Sequence, residues 1–225
     1  IYHLNMIEFS HLYKSYDKKI HALKDINLKI GAGEFVFLTG PSGAGKSTFF
    51  KMITGYDQPT SGKIIVGNFD LNNIKESDLA DYRRKLGIVF QDFKLLPDRT
   101  VYENVCLPLK IQKHHESFIK KRALEVLDLV GLSEKIEQFP EYLSGGEQQR
   151  TAIARAIIHQ PGVLIADEPT GNLDPEMSSK IIDVFEKVCA QGTTVVIATH
   201  DHELVKRKNK KVIELMNGSV NKMSL

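Results

Sequence analysis

The run Gly40-Pro-Ser-Gly-Ala-Gly-Lys46-Ser47 limits what this chain can fold into more than any other feature. It follows the apolar segment Phe35–Leu38 and precedes the amphipathic run Thr48–Thr54, so G-x-x-x-x-G-K-[ST] sits where a strand turns into a helix. Phosphates need several converging N–H donors. Glycines at 40, 43 and 45 let the backbone come close with no Cβ in the way. The helix expected at Thr48–Thr54 then directs its positive end at the anion. Lys46 supplies a point charge to the terminal phosphates, and the Ser47 hydroxyl suits Mg2+. Ser42, Gly43, Ala44, Gly45 and Thr48 complete the expected nucleotide-binding set. An ordinary glycine-rich turn would account for the glycines, but not for the lysine and hydroxyl that follow them.

The rest of the chain supplies the frame such a loop requires. Met6–Phe9 and Ala22–Ile30 alternate apolar and polar residues and read as half-buried antiparallel strands. Phe35–Leu38, Leu86–Phe90, Val163–Ala166 and Thr194–Ala198 are almost wholly apolar, as strands covered on both faces are. Val212–Leu215 reads as a further strand. Between Phe90 and Val163 the pattern turns helical. Glu116–Val130 carries one apolar stripe and stops at Gly131, and another helix is expected to start near Gly146 and end before Pro161.

Two acids close the strand Val163–Ala166. Asp167 is placed to hold Mg2+ through its coordination shell, and Glu168 to orient or deprotonate an attacking water. A strand ending in solvated acids is common, and the phosphate loop is what favours the functional reading. Leu143-Ser-Gly-Gly-Glu-Gln-Gln-Arg150 admits two explanations that can both hold. Ser144 and Glu147 have capping-box spacing. Gly145 and Gly146 also leave bare N–H groups at a positive helix end, a second anion site in a chain with one phosphate loop. A dimer in which this segment closes on the nucleotide of the other copy reconciles the two.

That segment resembles the LSGGQ motif of the ABC-transporter ATPases, and the resemblance extends from Tyr16 to about Leu215. It implies an α/β P-loop NTPase fold with an N-terminal antiparallel β subdomain and an inserted α-helical subdomain. On this reading residues 6–225 form one domain: 6–91 and 161–225 are the core, and about 92–160 the helical part. Tyr16 resembles the aromatic residue that stacks on adenine. Gln91 resembles the glutamine that touches Mg2+ and links to a transmembrane partner. Asp174, in Gly171-Asn-Leu-Asp174, resembles the loop that passes between subunits, and His200 the histidine that contacts the γ-phosphate. The resemblance thus implies ATP hydrolysis with Mg2+, carried out by Lys46, Gln91, Glu168 and His200 and completed across a homodimer by Ser144, Gly145, Gly146 and Asp174. Ser47, Gln91 and Asp167 are the implied metal ligands.

Pro169-Thr-Gly-Asn-Leu-Asp174 resembles the subgroup of lipoprotein-release, macrolide-export and cell-division ATPases. Alanine at 44 and the stretch Gln91–Val105 point to the cell-division branch, whose partner is a polytopic membrane protein and whose work is mechanical. The expected location is the cytoplasmic face of the bacterial plasma membrane, reached through that partner.

Composition narrows the alternatives. Lys plus Arg at 30 against Asp plus Glu at 28 leaves a net charge of +2, too little to argue a nucleic-acid binder. A soluble ABC ATPase acting on nucleic acid would usually add paired nucleotide domains, zinc inserts or long coiled coils. Cys106 and Cys189 form neither a disulfide framework nor a metal pattern. No apolar run approaches the ~20 residues of a membrane span, and no secretory signal is visible, so a soluble chain is expected. Ile1–Asn5, ahead of Met6, are expected to be an expression remnant outside the fold.

Two surface features remain open. Phe90, Phe93, Leu95, Leu96 and Pro97 are either interior or a groove for a partner's short helix. Lys206-Arg-Lys-Asn-Lys-Lys211 either faces anionic lipid or is a solvated basic turn.

Overall fold

The computed structural model describes residues 5–17 and 21–224. β1 (Asn5–Ser15), β2 (His21–Gly31), β4 (Ser61–Val66) and β5 (Phe69–Asp70) make an antiparallel sheet in the order β2-β1-β4-β5. The second sheet takes β3 (Phe35–Thr39), β6 (Leu86–Val89), β7 (Val163–Asp167), β8 (Thr194–Ala198), β9 (Lys211–Met216) and β10 (Ser219–Ser224). Its order is β10-β9-β3-β8-β7-β6, parallel except for the antiparallel edge strand β10. The helices are α1 (Lys46–Ile53), α2 (Glu76–Arg83), α3 (Val101–Ile111), α4 (Glu116–Leu129), α5 (Gly145–Ile157), α6 (Pro175–Ala190) and α7 (His202–Lys208).

Side-chain alternation explains why the central parallel strands are almost wholly apolar. Phe35 and Phe37 of β3, Leu164 and Ala166 of β7, and Val195 and Ile197 of β8 join the core shared with α3–α6. Their neighbours Val36, Leu38, Val163, Ile165, Val196 and Ala198 point the other way, into the core beneath α1 and the antiparallel sheet. A strand buried on both faces leaves room for a polar side chain only at its ends, as at Thr39 and Thr194. Each large apolar side chain removed from water contributes roughly 1.5–3 kcal/mol.

The helical lobe is built from strong local signals. Thr100 caps α3 in a reciprocal pair with Glu103: Glu103 N–H donates to the Thr100 hydroxyl, and Thr100 N–H to the Glu103 carboxylate. α4 ends as expected at Gly131, whose φ of 68° suits glycine. Gly131 N–H donates to Asp128 O and Leu132 N–H to Leu127 O, which satisfies two carbonyls at the helix end. α3 packs against both α4 and α5, and α5 also packs on β6, so the lobe is attached to the edge of the parallel sheet.

The structure corrects several expectations. Asn5 belongs to the fold: its backbone opens β1 and pairs with Gly31, while residues 1–4 lie outside the described part. β1 runs beyond Phe9 to Ser15, because register shifts around Leu12 break the simple alternation without ending the strand. β6 stops at Val89, one residue short of Phe90. α1 starts at Lys46, so the lysine and both hydroxyls belong to its first turn.

Candidate nucleotide site

The phosphate loop leaves β3 at Thr39 and enters α1 at Lys46. Its glycines are sterically fixed at two points. Gly40 has φ 143°, and a Cβ there would lie 2.2 Å from the Leu215 carbonyl oxygen of β9. Gly45 has φ 106°, and its Cβ would lie 2.6 Å from Ala22 O. Ala44 is buried, and its carbonyl accepts the N–H of Gly218, in the β9–β10 turn, at 3.1 Å. Gly218 O in turn accepts the Lys24 N–H of β2 at 2.7 Å. The loop is therefore clamped between the first hairpin and the last. Lys46 Nζ donates to Gly40 O at 2.7 Å and Pro41 O at 3.1 Å, so the cation lies over the loop.

One cavity of about 800 Å³ gathers most of the expected residues. Tyr16, Ser42, Gly43, Gly45, Lys46, Ser47, Thr48, Gln91, Asp167, Glu168 and His200 all line it. Ala44 lies behind the loop. Tyr16 is half exposed, shares a 3.5 Å hydrogen bond with the Thr48 hydroxyl, and carries the Lys14 and Lys51 ammonium groups 5.0 and 5.6 Å from its ring centre.

β7 delivers the acids. Asp167 is its last residue, and burial pushes the carboxyl above its ordinary range; Glu168 adds to the shift while Lys46 and Ser47 oppose it. Glu168 follows with φ 48°, a costly conformation for a residue with a Cβ. Its N–H is held by Ala198 O at 3.0 Å, and its carboxylate meets His200 Nδ1 at 2.9 Å. The end of β8 and the histidine just beyond it thus fix the turn from both sides.

The raised Asp167 value makes this acid a cost to the fold. A carboxyl whose folded value is raised destabilises wherever it is ionised in the folded state, and costs nothing below about 3.8, where both states are protonated. Asp167→Asn is therefore expected to raise the melting temperature at pH 8 in EDTA without nucleotide. The gain should shrink as pH falls through the raised folded value towards 3.8. Thermal unfolding of both proteins across that range checks it, and an unchanged or lower melting point at pH 8 refutes it.

Ser144, Gly145, Gly146 and Asp174 do not line the cavity. Ser144 caps α5: its hydroxyl accepts Glu147 N–H at 3.3 Å, and its own N–H donates to Glu147 Oε2 at 2.8 Å. The Ser144 backbone N–H, its hydroxyl and Lys135 hold the Glu147 carboxyl below its usual range. Asp174 caps α6 by accepting Met177 N–H at 2.9 Å. The two turns are neighbours, since a Cβ on Gly146 would lie 3.1 Å from Leu173 Cδ2.

The cavity also contains residues the sequence argument missed: His21, Ala22, Pro41, His202 and Glu214. His202 is two positions from His200 and was within reach. His21, Ala22 and Glu214 arrive on β2 and β9, and only strand order brings them there.

An apolar cleft of about 620 Å³ shares Ser47 and Asp167 with the cavity. Phe50, Ile88, Val89, Phe90 and Ile165 line it, with Lys51, Tyr56 and Lys94 also on its walls. None of Phe90, Phe93, Leu95, Leu96 and Pro97 is buried, which removes the interior reading of that run. The basic run has internal partners. Lys206 pairs with Glu203, Lys208 with Asp183 and Glu186, Lys210 with Glu186 and Lys211 with Glu34. The run closes α7 and opens β9, with four of its lysines in ion pairs.

The sequence profile of the ABC transporter family matches residues 23–171. The chain is 53% identical over 215 residues to the cell division ATP-binding protein FtsE of Bacillus subtilis, covering 96% of this chain and 94% of that one. It is 46% identical to the protein of that name from Escherichia coli K12, covering 95% and 96%. A dimeric ATP-binding cassette, MJ0796, bound to ADP and phosphate superposes with a TM-score of 0.90 at 40% identity, over 97% of this chain and 98% of that one. The cbiO1 subunit of the cbiONQ transporter from Clostridium perfringens gives 0.89 at 33% identity, over 98% and 88%.

Proposed function

The chain belongs to the ABC transporter family, and we propose that its cavity is half of an ATP-hydrolysing pair that drives a membrane partner in bacterial cell division. It is an ATP-binding ATP hydrolase of the kind named FtsE in its relatives. The observation that carries the finer reading is the split between the two turns. Tyr16, the loop, Gln91, Asp167, Glu168 and His200 line one cavity, while the N–H groups that begin α5 lie outside it. An anion-binding helix end without an anion site of its own suits the nucleotide of a second copy. The dimeric structure of the MJ0796 cassette supports such a pairing.

Mg2+ fits the residues present. A hydroxyl from Ser47, an amide oxygen from Gln91 and a carboxylate from Asp167 are hard oxygen donors lining the same cavity, and Mg2+ is typically held by one or two carboxylates plus phosphate oxygens. Once bound there it would neutralise charge on the phosphates. The protein groups do the remaining work. Tyr16 stacks on the base, and the loop amides and Lys46 hold the phosphate chain. Glu168 accepts a proton from the attacking water, and His200 is held by Glu168 at the γ-phosphate. Ser144, Gly145 and Gly146 of the second copy close the pocket from the far side, with Asp174 passing between subunits. Because the transition state is loose, placement and electrostatics supply most of the rate.

The partner is a polytopic membrane protein of the FtsX type, and the apolar cleft beside Gln91 is its docking surface. Closure of the pair would then pull on the partner through Phe90 and its neighbours, at the cytoplasmic face of the plasma membrane. No described helix is long and apolar enough to cross a membrane, so attachment runs through that contact. The test is phosphate release with Mg2+ and in EDTA, together with co-purification from membranes. Hydrolysis lost in EDTA and restored by Mg2+, and a membrane protein retained by the wild type but released by Phe90→Asp, are the expected results. Metal-independent hydrolysis would remove the metal assignment. Full retention by Phe90→Asp would remove the docking assignment.

A further inference from the structure

The loop after β6 contains two consecutive non-glycine residues in the left-handed region, Phe93 at φ 58° and Lys94 at φ 50°. Side chains with a Cβ persist there only where the surroundings hold them. Within the loop, Phe93 N–H donates to Phe90 O at 3.2 Å and Lys94 N–H to Asp92 O at 2.6 Å. The strong grip comes from outside. Arg155, in the second half of α5, donates Nη2–H to Phe93 O and Nη1–H to Lys94 O, both at 2.6 Å. The two prongs of one planar guanidinium take the two carbonyls of the strained pair, a fit a lysine ammonium cannot reproduce.

Arg155 is also unusual electrostatically. It takes part in none of the ion pairs found among the described residues, and burial pulls its pKa down from the ordinary arginine range. A desolvated cation with carbonyl partners is a costly way to fasten a loop. What it fastens accounts for the cost. The loop begins at Gln91, in the nucleotide cavity; Phe90 and Lys94 line the apolar cleft; and α5 begins at the Ser144 turn.

We propose that Arg155 is a positioning residue for hydrolysis, tying the Gln91–Lys94 loop to the helix that presents Ser144 so that both reach nucleotide in register. This rests on the reading of the cavity as an ATP site. Arg155 itself touches no nucleotide in this arrangement. It acts through the loop, so its loss should change the rate at a bound nucleotide more than the binding.

The experiment compares full-length wild type, Arg155→Lys and Arg155→Gln. It measures kcat and KM for ATP with Mg2+, Kd for a trinitrophenyl-ATP probe, melting temperature, and hydrogen exchange of the Phe93 and Lys94 amides. For Arg155→Gln, Kd and KM should stay within about twofold while kcat falls on the order of ten- to a hundredfold, the scale of a displacement of about 1 Å. Both amides should exchange faster, and Arg155→Lys should recover part of kcat. Full kcat in Arg155→Gln overturns the proposal. So does a joint fall of kcat, probe affinity and melting temperature in both variants, the mark of a purely structural role. A wild type that binds no probe would overturn the cavity reading and this proposal with it, whereas Arg155→Gln at full rate removes the Arg155 role alone.

Discussion

Glu168→Gln is expected to bind ATP with wild-type affinity and to hydrolyse it roughly 10²- to 10⁴-fold more slowly, the range a positioned general base contributes. The amide nearly matches the carboxylate in shape and still reaches His200 Nδ1, which now sits 2.9 Å from the acid. The left-handed turn at Glu168 is held by its backbone bond to Ala198 O, so the substitution leaves the turn intact. What is lost is the ability to take a proton from water. If closure precedes chemistry, the closed pair should then accumulate. Gel filtration of the variant with ATP and Mg2+ should show a dimer that returns to monomer when ATP is removed. A variant that stays monomeric at saturating ATP would refute the shared-site scheme, and one that hydrolyses at the wild-type rate would remove Glu168 from the role of base.

Lys46→Ala should produce the largest loss of binding. Among the residues lining the cavity, Lys46 is the lysine or arginine, set against the acids Asp167, Glu168 and Glu214. Without it a polyphosphate would enter a pocket of its own sign. Hydrogen bonds to a charged group contribute about 1.5–3 kcal/mol, roughly a 10- to 150-fold rise in Kd. Hydrolysis should fall at least as far, because the developing charge on the transferring group loses its cation as well. The fold should hold, since the Lys46 ammonium contacts the carbonyls of Gly40 and Pro41 and leaves the core untouched. Calorimetric titration with ATP is the check, and an affinity within threefold of wild type would show that the loop amides suffice.

Parts of this structure were readable in advance because the signals are local. The strand at Thr194–Ala198 is apolar after its opening threonine, and it forms with those bounds. The Ser144–Glu147 cap and the Gly131 stop depend on neighbours a few positions away, and both appear. Helix α3 has a capping pair in Thr100 and Glu103, a start signal the reading of the Gln91–Val105 stretch passed over, and it runs on through Pro108. Helix α6 was missed because Asp174 was read for its loop, when a capping acid followed by proline is also a helix start. The contiguous phosphate loop and the strand-end acids were legible in the same way. His21, Ala22 and Glu214 were not, since strand order alone carries them to the cavity. The pairing of the basic run was equally hidden, because Glu34, Asp183 and Glu186 lie far away in the sequence.

The clamp on the phosphate loop bears on how relatives should be read. Leu215 O, Gly218 N–H and Gly218 O are backbone groups near the end of the chain, and they set the room available at Gly40, Ala44 and Lys24. Backbone atoms leave no trace in a motif search. A shortened homologue lacking its last two strands would keep every diagnostic residue and still be missing the wall against which its glycines are moulded. That terminal hairpin therefore helps shape the loop as surely as the loop's own glycines do.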